Sequence, residues 1–248
     1  MQTFGLIGKS LQHSASQEYF TQKFHENHIH DAEYCLFPLA SIEDVKPLLH
    51  HPTLLGFNVT IPYKSEIIPC LDELDPVARE VGAVNCVIKE NNRWIGYNTD
   101  VIGFERMFYQ CCRDVLRHVS TALVLGSGGA AKAVCYVLKQ RNIPFTIVSR
   151  IKKDETIVYT EVTKLIINNS SLIINTTPLG MFPNTEEMPP IPYPAITHSH
   201  TFIDLIYNPK ETKFLKEGKK RGALIINGVA MFKAQAEASY IRFIKPIL

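Results

Sequence analysis

The sequence predicts an α/β protein: a small N-terminal α/β domain followed by a doubly wound domain with a parallel sheet. Three observations predict it. Short apolar strands alternate with helical patterns over roughly the first hundred residues and end on a hairpin signal at Asn91-Asn92. Strands and helices alternate again from Thr121, as a parallel sheet requires. The strand opening that second series runs into Gly126-Ser127-Gly128-Gly129-Ala130-Ala131, and a helical stripe of Ala133, Val134, Val137 and Leu138 runs out. At 248 residues the chain can bury a real core.

In the first half a strand over 4–7 is closed by Gly8, and a polar loop leads to a helix over 16–25. Tyr19, Phe20 and Phe24 share one face of that helix, and Ser16 can cap it. A strand over 33–37, a capped helix over 41–50 and a strand over 54–60 follow. Asp75-Pro76 opens another helix with proline in its first turn. Runs 84–88 and 93–97 form the hairpin, and a helix over 100–112 links the halves. In the second half strands are expected over 121–125, 145–148, 172–175, 202–206 and 223–226, with helices over 130–140 and 212–221. The proline-rich stretch 183–194 reads as a loop. An amphipathic helix over 231–243 ends the chain. The expected domains are 1–100 and 101–229, with 230–248 packing back on the first.

Composition narrows the function. The chain is 46% apolar and 20% charged, with a net charge of +2, and its basic residues are scattered. Nucleic acid and membrane are therefore not expected as partners. The densest basic run, 216–221, contains Glu217 and Gly218 and reads as the end of an exposed helix. The six cysteines (Cys35, Cys70, Cys86, Cys111, Cys112 and Cys135) form no C-x-x-C and no zinc-like spacing. Buried free thiols and no metal are expected. With no signal-peptide pattern and no apolar run of membrane-span length, a soluble cytoplasmic protein is expected.

The glycine turn fits strand, G-x-G-x-x-A, helix. Glycines let the backbone approach a pyrophosphate closely, and a helix N-terminus offers it free N–H groups. A Rossmann-like dinucleotide-binding domain is the reading. At the end of the next strand stand Ser149 and Arg150, followed by Lys152 and Lys153, where an acidic residue would favour NAD. A guanidinium clamps a phosphate bidentately, so NADP is favoured.

The chemistry is expected around Asn58-Val59-Thr60-Ile61-Pro62-Tyr63-Lys64, where polar side chains able to hold hydroxyls sit beside one lysine at a strand end. A nicotinamide enzyme that oxidises an alcohol needs a group to take the hydroxyl proton. Lys64 is one candidate, with Asp100 to hold its ammonium. Two plainer readings stay open. Lys64 can be a solvated surface lysine, and Asn98-Thr99-Asp100 are all capping residue types ahead of a helix.

The order and spacing of several motifs together resemble the shikimate dehydrogenase family over nearly the whole chain. They are His13-Ser14-Ala15-Ser16, 58–64, Gly82-Ala83-Val84-Asn85, Asn98-Thr99-Asp100 with Gly103, and the glycine turn. Further along come Asn175-Thr176-Thr177-Pro178-Leu179-Gly180-Met181, Asp204 with Tyr207-Asn208-Pro209, and 227–231 through Gln235. The resemblance implies an NADP-dependent oxidoreductase that reversibly reduces 3-dehydroshikimate to shikimate on the way to chorismate and aromatic amino acids. It implies a substrate domain followed by an NADP domain, in a monomer or homodimer. Ser14 and Ser16, helped by Tyr207, would bind the substrate carboxylate, and Asn58, Thr60, Asn85 and Gln235 its ring hydroxyls. Lys64 and Asp100 would be the catalytic pair. Gly126, Ser127, Gly128, Gly129 and Ala130 would take the pyrophosphate, Ser149 and Arg150 the 2′-phosphate, and Thr176, Gly228 and Met231 the nicotinamide side.

The sequence departs from the family pattern in two places. Ser149-Arg150-Ile151 with lysines replaces the usual Asn-Arg-Thr and second arginine, and a lysine is a point charge rather than a fork. The stretch 150–172 is short, so one strand–helix unit is expected to be trimmed. A close rival keeps the fold but prefers quinate or NAD; a more distant one is a nucleotide-binding regulator without catalysis.

Overall fold

The computed structural model describes residues 1–111, 120–153 and 155–244. Cys112 and the last residues of the 230–248 segment lie outside them. The chain forms two compact units, Met1–Ile102 with the chain from Gln235 onward, and Gly103–Ala234.

The first unit contains β1 (Gln2–Gly8), α1 (Ser16–Glu26), β2 (Ala32–Pro38), α2 (Val45–Leu49), β3 (Leu54–Val59), β4 (Glu73–Leu74), α3 (Pro76–Val81), β5 (Cys86–Glu90), β6 (Arg93–Tyr97) and the start of α4 (Thr99–Cys111). Its mixed sheet has the order β2-β1-β3-β5-β6-β4. The first three strands are parallel, and β5 runs antiparallel to both β3 and β6. Asn91 and Asn92 take φ of 50° and 59°, the left-handed pair that a two-residue hairpin turn needs.

Strand periodicity divides this core into two layers. Phe4 and Leu6 face one layer with Phe20, Phe24 and Tyr34, while Ile7 faces the other with Val45, Phe57 and Trp94. Ala236, Tyr240 and Phe243 complete the first layer, with the Phe243 ring 4.8 Å from that of Phe4. A fully buried phenylalanine stabilises by roughly 2–3 kcal/mol, so this packing holds residues 236–243 firmly against the layer.

The second unit is wholly parallel. Its strands are β7 (Ala122–Leu125), β8 (Phe145–Ser149), β9 (Thr156–Val158), β10 (Leu172–Asn175), β11 (Thr201–Asp204) and β12 (Leu224–Ile226), in the order β12-β11-β10-β7-β8-β9. The helices are α5 (Gly129–Gln140), α6 (Lys164–Asn168), α7 (Lys213–Lys220) and α8 (Val229–Ile244), which carries the chain back into the first unit. The order reverses between β7 and β10, a topological switch point of the kind at which doubly wound sheets bind ligands. The mixed α/β class with a Rossmann-like sheet is thus as predicted.

Local differences have physical causes. Ser16 is the first residue of α1 rather than its cap; the Ser14 hydroxyl accepts from the Ser16 N–H at 3.2 Å instead. The helix expected over 41–50 is a 3₁₀ turn (Ile42–Asp44) followed by the short α2. Pro47 has no N–H to give Glu43, so an α-helical ladder cannot run through the segment. The 150–172 stretch holds a three-residue strand and a five-residue helix, a small but complete unit. No helix among the described residues is long and apolar enough to cross a membrane.

Gly228 shows how tightly α8 begins. A Cβ there would lie 2.0 Å from the Leu205 carbonyl oxygen, and the Gly228 N–H donates to the Ile206 carbonyl at 3.0 Å. Gly228→Ala is therefore expected to lower stability by about 1–3 kcal/mol, as overpacking does. A denaturant titration checks this; an unchanged midpoint would contradict the contact.

Candidate active site and dinucleotide turn

In the first unit β3, the loop after it, the start of β5 and the first turn of α4 converge. The Lys64 backbone is fixed there because its carbonyl accepts from Val84 N–H at 2.7 Å. The Tyr63 hydroxyl donates to the Leu39 carbonyl at 2.8 Å and anchors the same loop. The Lys64 ammonium meets Asp100 Oδ2 at 2.6 Å, with the two side chains 14% and 6% exposed. Lys64 is thus not a solvated surface lysine.

The capping alternative resolves onto a neighbour. Asn98 Oδ1 accepts from Val101 N–H at 3.1 Å, and Asn98 Nδ2 donates to the Ala83 carbonyl at 2.8 Å. Asn98 caps α4, which leaves the Asp100 carboxylate to Lys64 and to Asn85, whose Nδ2 donates to Asp100 Oδ1 at 2.9 Å. A carboxylate in the first turn of a helix also suits the helix dipole.

The polar residues expected to hold hydroxyls are joined to this pair. Asn85 Nδ2 also reaches Thr99 Oγ1 at 2.9 Å, and Thr99 N–H donates to Asn85 Oδ1 at 2.6 Å. Asn58 Nδ2 donates to the Asn85 carbonyl at 3.1 Å, and Tyr34 OH donates to Asn58 Oδ1 at 2.9 Å. Gln235 Oε1 lies 3.5 Å from both Asn85 Nδ2 and Thr99 Oγ1. Ser14 and Ser16 are half-buried, and Ser16 bonds the Tyr34 hydroxyl, whose ionisation burial pushes well above the ordinary phenol range. Thr60 follows β3, its N–H on the Ile7 carbonyl at 2.9 Å.

The second unit holds the other predicted residues. Gly126 has φ +115°, donates its N–H to the Val148 carbonyl at 2.8 Å, and leaves no room for a Cβ, which would meet Thr176 Oγ1 at 2.5 Å. Thr176 Oγ1 donates to the Leu125 carbonyl at 2.7 Å, so the two sit together at the switch point. Nothing lies within 4 Å of a Cβ built on Gly128, the residue before α5. A backbone that turns tightly at one glycine and opens a free approach at the next fits a pyrophosphate beside a helix start. Ser127, Gly129 and Ala130 continue that turn.

Beyond β8, Arg150 is exposed, whereas Ser149 is buried and its hydroxyl donates to the Ile151 carbonyl. Lys152 is ion-paired with Glu161. Burial first, and Lys153 second, hold the Lys132 ammonium below its usual range. Tyr207 follows β11, its ring 4.4 Å from that of Phe232, and Met231 is buried in the first turns of α8.

Two residues take part in ways that the sequence reading did not assign. Asp204 is fully buried and accepts from Thr212 Oγ1 at 2.6 Å, Ile206 N–H at 3.0 Å and Asn175 Nδ2 at 3.1 Å. Asn175 Oδ1 in turn accepts from Thr177 N–H and Oγ1, which shapes the loop carrying Thr176. Ser239, fully buried on α8, bonds Asn58 and Thr99. Its spacing of one helical turn from Gln235 was the available signal.

Comparison with known proteins identifies the family. Residues 6–87 match the family model described as the shikimate dehydrogenase substrate binding domain. A shikimate dehydrogenase (NADP(+)) from Methanococcus aeolicus is 37% identical, covering 95% of this chain and 89% of that one. The chain belongs to the shikimate dehydrogenase family. The solved shikimate dehydrogenase 1 of Peptoclostridium difficile superposes with a TM-score of 0.84 at 34% identity, over 98% of this chain and 91% of that one. Another, solved in complex with NADP⁺, gives 0.79 at 31% identity over 98% and 90%.

Burial pushes the Asp204 carboxyl up to about 6, against the opposing pull of its three donors. Unfolded, it titrates near ~3.9, so the folded state binds this proton more tightly. The resulting stability is complete below that value and is lost as pH rises through about 6. Asp204→Asn, which has no such proton, is expected to remove this component. Melting temperatures of both proteins between pH 4 and 7 check it, and parallel curves would contradict it.

Proposed function

We propose that this chain catalyses the reversible, NADPH-dependent reduction of 3-dehydroshikimate to shikimate, a step towards chorismate and the aromatic amino acids. The single observation that carries the reading is the largely buried Lys64–Asp100 contact with Asn85 on the second carboxylate oxygen. A lysine and a carboxylate so placed can hand a proton to and from an alcohol oxygen. When bound, NADP supplies the hydride acceptor, and NADPH the donor. In the oxidation direction the substrate hydroxyl gives its proton to the Lys64–Asp100 pair as its carbon gives up hydride. In reduction the pair returns that proton to the carbonyl oxygen.

Asn58, Thr60, Asn85 and Gln235 hold the ring hydroxyls. Ser14 and Ser16 bind the substrate carboxylate, and Tyr207 is assigned to the same group. Gly126 through Ala130 receive the pyrophosphate, and Thr176 and Met231 line the nicotinamide side. Gly228 serves mainly by letting α8 start against Leu205, given the contact its missing side chain permits. Arg150 carries the 2′-phosphate contact; Ser149, buried and engaged with Ile151, contributes chiefly to the shape of that turn.

Lys64→Ala is expected to lower turnover of shikimate with NADP by about 10²-fold or more, the scale of a lost acid–base group, with a smaller effect on shikimate binding. Initial rates followed by nicotinamide absorbance check this, and wild-type turnover in the variant would refute the assignment. Arg150→Ala is expected to raise KM for NADP and leave that for NAD nearly unchanged. Equal effects on both cofactors would refute the phosphate clamp.

A further inference from the structure

We propose that Ser239 is a positioning residue that fixes Asn58 as a pure hydrogen-bond acceptor towards the substrate and couples it to the Lys64–Asp100 pair. The proposal rests on the shikimate reading above. Asn58 Nδ2 donates to the Asn85 carbonyl at 3.1 Å, and a carbonyl can only accept, so the orientation of the Asn58 amide is decided. Its second hydrogen goes to Ser239 Oγ at 2.9 Å. Both amide hydrogens are thereby committed inside the protein. One lone pair of Oδ1 takes the Tyr34 hydroxyl at 2.9 Å, and the other is what Asn58 offers a ligand. A substrate hydroxyl at Asn58 must therefore donate.

One assignment of protons satisfies the whole network. Asn85 Nδ2 donates one hydrogen to Asp100 Oδ1 and the other to Thr99 Oγ1, both at 2.9 Å. Thr99 donates to Ser239 Oγ at 3.0 Å, and Ser239 donates to the Gln235 carbonyl at 3.1 Å. Ser239 Oγ then accepts from Thr99 and from Asn58 and donates to the Gln235 carbonyl, with the Cys86 thiol also within hydrogen-bonding reach. It gives Asn58 a second link, besides the Asn85 carbonyl, to the chain that starts from the catalytic carboxylate. Ser239 and Thr99 are fully buried, with Asn85 and Asn58 nearly so, so no solvent can replace a missing partner.

Removing the hydroxyl leaves an Asn58 N–H without an acceptor and releases the amide to rotate, while the Thr99 O–H can turn to Asn85 Oδ1 at 3.2 Å. Ser239→Ala is expected to raise KM for shikimate by about tenfold, the worth of one hydrogen bond. The KM for NADP should stay within about twofold, because nothing in this network belongs to the dinucleotide turn. The test is steady-state kinetics of wild type, Ser239→Ala, Asn58→Ala and the double variant, at a temperature well below each melting point. If Ser239 acts through Asn58, the double variant should bind shikimate about as weakly as Asn58→Ala alone.

A fall in melting temperature with shikimate KM unchanged would overturn the proposal, and so would single effects that simply multiply. A second measurement needs no variant. In nitrogen-15-labelled wild type, both Asn58 side-chain protons should exchange slowly with solvent, before and after shikimate is added. Fast exchange of either would overturn the assignment. A wild type inert towards shikimate would overturn the activity and this proposal together, whereas an active one that fails these tests would sink this proposal alone.

Discussion

The contact on which the rest depends is the 2.6 Å pairing of Lys64 with Asp100. A largely desolvated ion pair is not a source of stability in itself, because stripping water from two charges offsets most of their attraction. It persists only where the surrounding polar groups are satisfied and the backbones that carry the pair are fixed. Both conditions are met. Val84 fixes the Lys64 backbone, Asn98 caps α4 in place of Asp100, and Asn85 takes the carboxylate oxygen that Lys64 leaves. The division of roles between Asn98 and Asp100 is what leaves a carboxylate at a helix start uncommitted to the cap.

Around the pair, the first unit carries an unusually continuous polar network set against an apolar layer. Asn58, Asn85, Thr99 and Ser239 are buried beside Tyr34, Cys86 and Tyr240. In such surroundings each hydrogen bond is strong and each unmade one is costly, so the network either holds a single arrangement or fails. That rigidity suits the proposed role of gripping several hydroxyls at once. The second unit applies the same logic to its backbone. Asn175, Asp204 and Thr212 tie the loop after β10, which puts Thr176 against the glycine turn.

The fold was legible wherever an element was long enough to show its period. Phe4, Leu6 and Ile7 announce β1 as a short apolar run closed by Gly8, and Gly126 through Leu138 announce the turn and helix of the second unit. β4 and β9, of two and three residues, are too short to carry any period and emerge only from their pairing with β6 and β8. At Pro47 the missing N–H outweighed a helical pattern. The site was legible as residue types and not as geometry. Nothing local distinguishes Asn98 from Asp100 as the cap, since that depends on where Lys64 and Asn85 stand. Ser239, one polar residue among several on an amphipathic helix, and Ser149, whose hydroxyl turns inward, both needed their neighbours in space.

The measurement that reaches the central claim most directly is a double-variant cycle on turnover with Lys64→Ala, Asp100→Asn and the two combined. Residues that move a proton as one unit are strongly non-additive when removed. The account predicts that the double variant turns over about as slowly as the slower single one. Losses that multiply would mean that the ammonium and the carboxylate act independently, and the contact between them would then be structural only.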